Sequence, residues 1–102
     1  MPPGHRAFPH VHDALDLILI LRAGTAVNFW WDEQGNRHEQ VIKPGQHLFI
    51  PQGAPHASAN IGPEMVVADE FRSSPVFGYD VRRLPELNDE VARRTAEILQ
   101  AS

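Results

Sequence analysis

Between Leu17 and Phe71, glycine and proline recur so often that no segment is long enough for the helix of a parallel crossover, and this limits the fold more than any other feature. What remains are short β-forming runs joined by turns, the pattern of an all-β, antiparallel, barrel-like chain. Asp16 to Arg22 is predicted as a strand, with Ala23-Gly24 as a tight turn or bulge. Thr25 to Trp31 is the next strand. Gln34-Gly35-Asn36 forms the tip of a hairpin, and His38 to Ile42 is its return. Pro44-Gly45 is a further turn, His47 to Ile50 a short strand, Pro51 to Pro55 a rigid loop, and Met65 to Glu70 the last clear strand.

The first of these strands is apolar on both sides. Leu17, Leu19 and Leu21 oppose Asp16, Ile18 and Ile20, so both faces need cover. One face suits a barrel interior; the other must meet a second layer, the C-terminal segment or another subunit. Past Pro75 the pattern changes, and Leu84, Leu87, Val91, Thr95, Ile98 and Leu99 fall at helical spacing. The helix starts either at Pro85, an early helical position, or at Asp89 with Asn88 as its cap. Arg82, Arg83, Arg93 and Arg94, offset by Glu86, Asp89, Glu90 and Glu97, read as its solvated face. The expected organisation is a barrel over residues 1–78 and a C-terminal extension over 79–102, its amphipathic helix packed on the barrel or on a dimer interface.

A chain of 102 residues has room for one core. It contains no cysteine, which removes disulfides, thiolate zinc sites and thiol nucleophiles, so any metal must be held by imidazole and carboxylate. The formal charge of −4 argues against a dedicated partner among nucleic acids or anionic membranes. The longest apolar run, Leu17 to Leu21, is far short of the about twenty residues of a spanning helix, and no charged leader precedes it. A cytoplasmic location is the expectation. No glycine-rich phosphate loop is present, and Ser58, Ser73 and Ser74 lack a nucleophile-elbow pattern.

Six histidines are the chemically informative residues. His10 and His12 project from one face of an extended segment. Asp16 has the same parity as long as the backbone stays extended; a turn at Asp13-Ala14 would change that. A hairpin and return strand can bring His56, beside the Pro51 to Pro55 loop, to the same place. Three neutral imidazoles and a carboxylate suit a divalent iron, manganese, nickel, cobalt or zinc ion and leave positions for water, substrate or dioxygen. On spacing alone, two histidines one residue apart are also what an ordinary surface pair looks like. His47 is a candidate for the pocket lining, while His38 and His5 read as peripheral. Asn28 and Trp30 share one strand face and Val27, Phe29 and Trp31 the other; parity leaves open which faces the cavity. Glu39, Asp69 and Glu70 are possible acids or bases that no spacing singles out, and Tyr79 is placed at the barrel mouth.

The order Gly4, five residues, His10-Val11-His12, three residues, Asp16, then a turn glycine near position 24 resembles the first motif of the cupin superfamily. Gly45, five residues, Pro51-Gln52-Gly53, two residues, His56, three residues, Asn60 resembles the second at every signature position. The resemblance covers Gly4 to Asn60. It implies a double-stranded antiparallel β-helix, a jelly-roll barrel, here followed by a C-terminal α-helix. It also implies one divalent transition metal per chain, of iron, manganese, nickel, cobalt, copper or zinc, with His10, His12 and His56 as ligands. Asp16 stands where the family usually has glutamate; one methylene shorter, it ligates directly, acts through a water, or orients an imidazole. Gly45 and Gly53 are expected where a side chain would interfere, and Asn60 is expected to tie down the loop after His56.

Only nine residues precede His10, fewer than many family members have, and the sheet edge this leaves open leads to an expected homodimer formed by strand exchange. The activity implied is that of a metal-dependent enzyme on a small oxygenated organic molecule, with a dioxygenase ahead of a lyase or isomerase. A non-catalytic small-ligand binder is the rival, because this fold hosts many functions.

Overall fold

The computed structural model describes residues 1–73 and 81–101. Eight strands run in the order β1 (His10–His12), β2 (Leu17–Ala23), β3 (Ala26–Trp31), β4 (Arg37–Ile42), β5 (His47–Ile50), β6 (His56–Asn60), β7 (Val67–Arg72) and β8 (Val81–Arg83). A short 3-10 turn at Pro85–Leu87 leads into α1 (Asn88–Ala101). All pairings between named strands are antiparallel, in one sheet of order β4-β3-β6-β1-β8 and another of order β5-β2-β7. This is the layered arrangement of a cupin-like jelly roll, but no strand pairing joins the two sheets among the described residues, so the barrel is not closed by hydrogen bonds. The chain changes sheet at the bend around Asp13-Ala14 and at Gly24, beside a register shift in the β2–β7 ladder between Leu21 and Ala23. Gly24 is tightly enclosed there: its φ is 82°, and a Cβ would lie 2.7 Å from the Met65 carbonyl oxygen.

The predicted strands are present with ends moved by a residue or two. Two strands were not foreseen. β6 is His-Ala-Ser-Ala-Asn, poor in β-formers, yet it lies in the middle of the larger sheet between β3 and β1. Tertiary position overrides propensity here, because small side chains at Ala57 and Ala59 let α1 approach the sheet. β8 pairs along the whole of β1 and fills the edge that would otherwise lie beside it. The chain's front residues are also used within the chain: Ala7 N–H donates to the Ser58 carbonyl at 2.7 Å, and the terminal amine of Met1 donates to Val66 O at 2.9 Å.

The one core expected from chain length is divided by the larger sheet into two apolar clusters. Leu15, Leu17, Leu21, Ala26, Ile42, Leu48, Ile50 and Val66 fill the space between the sheets. Val27, Phe29, Trp31, Ala57 and Ala59 on the outer face of the larger sheet receive Val91 of α1, with Leu87 and Ile98 beside it. The helix therefore packs on its own barrel through the residues its periodicity marks. Arg82, Arg83 and Arg93 are exposed as expected, whereas Arg94 is half-buried and donates to both carboxylate oxygens of Glu39; with Arg37 of β4 paired to Glu90 at 3.1 Å, α1 is tied to the outer side of the larger sheet. The smaller sheet has no such cover among the described residues. Phe49, Ile18 and Phe71 stand opposite one another across it and are 55%, 40% and 52% exposed.

Candidate metal centre

β1 and β6 place the three motif histidines together. His10 is the register partner of His56, and His12 lies two residues on along the same face of β1. Their ring centroids are 4.3 Å apart for His10 and His56, 5.1 Å for His10 and His12, and 5.4 Å for His12 and His56. One ring nitrogen from each falls within 4.8 Å of the others, a spacing that fits one ion between them. His12 and His56 are buried; His10 is half-buried.

Two local hydrogen bonds orient the donors. Nδ1 of His10 lies 2.7 Å from the Phe8 carbonyl oxygen, and Nδ1 of His56 lies 3.0 Å from that of Ala54. A carbonyl only accepts, so each Nδ1 carries the proton and each Nε2 keeps its lone pair for a metal. Electrostatics favour the same state. Burial pushes the His56 pKa down from 6.5 to about 4, the Ala54 carbonyl opposing and the neighbouring His10 and His12 adding to the fall. Burial also lowers that of His10, against the pull of the Phe8 carbonyl. Neutral, preoriented imidazoles are what a divalent ion requires, and the cluster can coordinate a single such ion.

Asp16 lies outside this cluster. The chain bends at Asp13-Ala14, and the Asp16 carboxylate accepts the Gln52 backbone N–H at 2.7 Å while its own N–H donates to Ser73 Oγ at 2.9 Å. It thus grips the loop that leads into His56. Gly53 in that loop donates its N–H to the His12 carbonyl at 2.9 Å. The φ values at Gly45 and Gly53 are 87° and 81°, but nothing lies within 4 Å of a Cβ at either, so backbone conformation rather than crowding calls for glycine. Asn60 acts as expected: its amide donates to Met1 O and Glu64 O, and its oxygen accepts the Gly62 N–H.

The remaining histidines are elsewhere. His38 stacks on Trp30 with centroids 4.1 Å apart and bonds Asp32 at 2.8 Å; His47 is exposed on the outer side of β5 opposite Ile20. Register also settles the β3 faces. Trp30 pairs with His56 and Asn28 with Ser58, so both look between the sheets, whereas Val27, Phe29 and Trp31 belong to the core under α1. A cavity of about 640 Å³, lined by Asn28, Trp30, Gln40, Leu48, Ile50 and Gln52 among others, lies over β3; none of the three histidines lines it. Trp30, which lines the cavity, is the ladder partner of His56. Tyr79 and Ser74 lie outside the described residues. No described helix is long and apolar enough to cross a membrane.

No family model matches the sequence, and no curated protein matches it. Solved structures do. An oxalate oxidase in complex with the substrate analogue glycolate superposes with a TM-score of 0.76 at 17% identity, covering 99% of this chain and 59% of that one. The chain is a small cupin-like domain. The Bacillus subtilis oxalate decarboxylase studied for its Mn(II) centres gives a TM-score of 0.69 at 21% identity, over 82% of this chain and 22% of that one. Peruvianin-I, a cysteine peptidase from Thevetia peruviana latex, gives 0.74 at 15% identity over 82% of this chain and 51% of that one. The cupin-like domain therefore spans less than two thirds of each of these chains. A peptidase among the neighbours shows that the likeness is one of fold, and this chain has no cysteine with which to share that chemistry.

Proposed function

We propose that this cupin-like domain is a metal-dependent enzyme acting on a small oxygenated organic molecule, most simply a short hydroxy acid or dicarboxylate. The observation that carries the reading is the convergence of three imidazoles, two fixed by backbone carbonyls in the metal-binding tautomer. Its neighbours in fold include an enzyme crystallised with glycolate and one studied for Mn(II), and both support that substrate class. A divalent ion held there supplies Lewis acidity toward a substrate oxygen and, if redox-active, a route to dioxygen. The protein's own part is geometric. His10, His12 and His56 hold the ion, Asp16 fastens the loop before His56, and Trp30, Leu48 and Ile50 give the cavity its apolar lining with Asn28 as an amide partner. Dioxygenase chemistry is the finer form of this proposal, with lyase or isomerase chemistry as its alternative.

A non-catalytic binder is favoured by one feature. The amides of Asn28, Gln40 and Gln52 line the cavity, and of its two acids, Asp32 and Glu33, the first is already engaged by His38 and by the turn N–H groups of Gln34 and Asn36. Incubating metal-analysed protein with glycolate, oxalate and related acids, with and without oxygen, separates the readings. Consumption that needs oxygen is expected. Anaerobic conversion selects the lyase or isomerase form, binding without turnover selects the binder, and protein that takes up no divalent metal sinks the proposal.

The domain is further proposed to form a homodimer through the outer face of the β5-β2-β7 sheet. Phe49, Ile18 and Phe71 make an apolar centre there, with the Arg22–Asp69 ion pair on the outward side of neighbouring positions, the apolar centre and polar rim of a self-complementary interface. Light scattering should give twice the chain mass at micromolar concentration and a monomer for Ile18→Asp. A monomeric unmodified chain would refute it.

A further inference from the structure

The larger sheet ends at β4 and the smaller at β5, and among the described residues no strand pairing joins these two edges. The cavity of about 640 Å³ is lined from both sides of that seam, by Asn28, Trp30 and Gln40 of the larger sheet and by Leu48 and Ile50 of the smaller. Asn28 is the residue that calls for a ligand there. It is 1% exposed, yet only its side-chain oxygen is partnered: Oδ1 accepts the Ser58 hydroxyl at 3.1 Å, and among the described residues nothing accepts from Nδ2. Ser58 is its ladder partner on β6, so the oxygen end of the amide is turned toward β6 and the nitrogen end is left to the cavity that Asn28 lines. A buried donor without an acceptor is costly, and native interiors rarely keep one. Gln40, opposite Asn28 on β4, shares its face and brings a second amide about 5 Å away at Cβ.

The rest of the lining sets the shape and charge of what fits. Leu48 and Ile50, part of the core between the sheets, give an apolar surface across the gap. The Trp30 ring is held by its stack on His38, with centroids 4.1 Å apart, and lends a flat aromatic wall. The charged groups at the cavity are Asp32 and Glu33, and no Lys, Arg or His among the described residues lines it. An anion there would meet two carboxylates and no counter-charge. A neutral planar amide meets complementary groups instead: its carbonyl takes the Asn28 N–H, its own N–H meets the Gln40 oxygen, and its flat body lies against apolar walls.

We propose that this cavity is a second ligand site, which binds a neutral planar molecule bearing a carboxamide or cyclic amide group without the help of a metal. It is separate from the three-histidine centre, none of whose rings lines it, and it stands whether or not that centre holds an ion. The hydroxy acid or dicarboxylate of the proposed reaction belongs at the metal; this site takes a different molecule.

Titration of the chelator-treated full chain with benzamide, and with benzoate as its nearly isosteric anion, tests this by nitrogen-15 NMR. Benzamide should bind with millimolar or tighter affinity and shift the side-chain NH2 signals of Asn28 and Gln40, and benzoate should bind at least about tenfold more weakly. Asn28→Leu, which keeps the volume and removes the donor, should weaken benzamide by about tenfold or more. Gln40→Ala, on an exposed edge strand, should weaken it by about threefold or more, and it decides alone if circular dichroism shows that Asn28→Leu does not fold. One equivalent of Zn(II) should leave benzamide affinity within about twofold. No benzamide binding at millimolar concentration overturns the proposal, as does benzoate binding equally well or affinity unchanged in the folded variants. Binding that appears only with Zn(II) places the ligand at the histidines and overturns the separate site, while leaving the metal centre intact.

Discussion

Replacing His56 by alanine is expected to lower divalent-metal affinity by more than about 100-fold, because even loss of an outer-shell partner costs about 10- to 100-fold and His56 is placed as a direct donor. Its position explains the size of the effect. His56 is buried and opposite His10 in the ladder, and its Nδ1–H is held by the Ala54 carbonyl, so no other side chain can take its place without moving β6. His38 and His47 provide the internal control. Both lie outside the cluster, and alanine at either should leave metal stoichiometry unchanged. The measurement is metal content by elemental analysis of protein purified without chelator, with circular dichroism to show that each variant folds. Stoichiometric metal retained by His56→Ala would refute the assigned centre.

The chain's own residues explain how far such a site can be read in advance. His10, His12 and His56 are legible because strand parity and motif spacing are local properties, and β1 and β6 need only pair to bring them together. The role of Asp16 depended on whether residues 12–16 stay extended, and the bend at Asp13-Ala14 redirects it to Gln52. That bend buries Leu15 in the core between the sheets, a tertiary demand that parity counting does not contain. β6 was hidden by alanines whose value lies in being small beneath α1. The two-sided apolar character of β2 asks for cover on both faces; the inner one has it in the core between the sheets, and the outer one, over Ile18, has none among the described residues.

Acidification of the metal-free protein should expose the cost of keeping His56 neutral. The unfolded chain gains a proton on this residue near pH 6.5, whereas the folded chain resists until about pH 4. Between those values the unfolded state binds more protons, so stability falls as pH falls; above about pH 6.5 this group contributes no pH dependence. At about 1.4 kcal/mol per unit, His56 alone should remove about 2 kcal/mol of unfolding free energy between pH 7 and pH 5. The lowered His10 acts in the same direction. Urea unfolding of chelator-treated protein at the two pH values gives the loss, and His56→Gln, which carries no titrating ring, should reduce it by that amount. Equal pH dependence in the two proteins would mean that the folded state does not hold His56 neutral. The same resistance to protonation governs metal retention: protons and metal compete for Nε2, and a ring that stays neutral down to about pH 4 leaves the metal as its main competitor-free ligand across the neutral range.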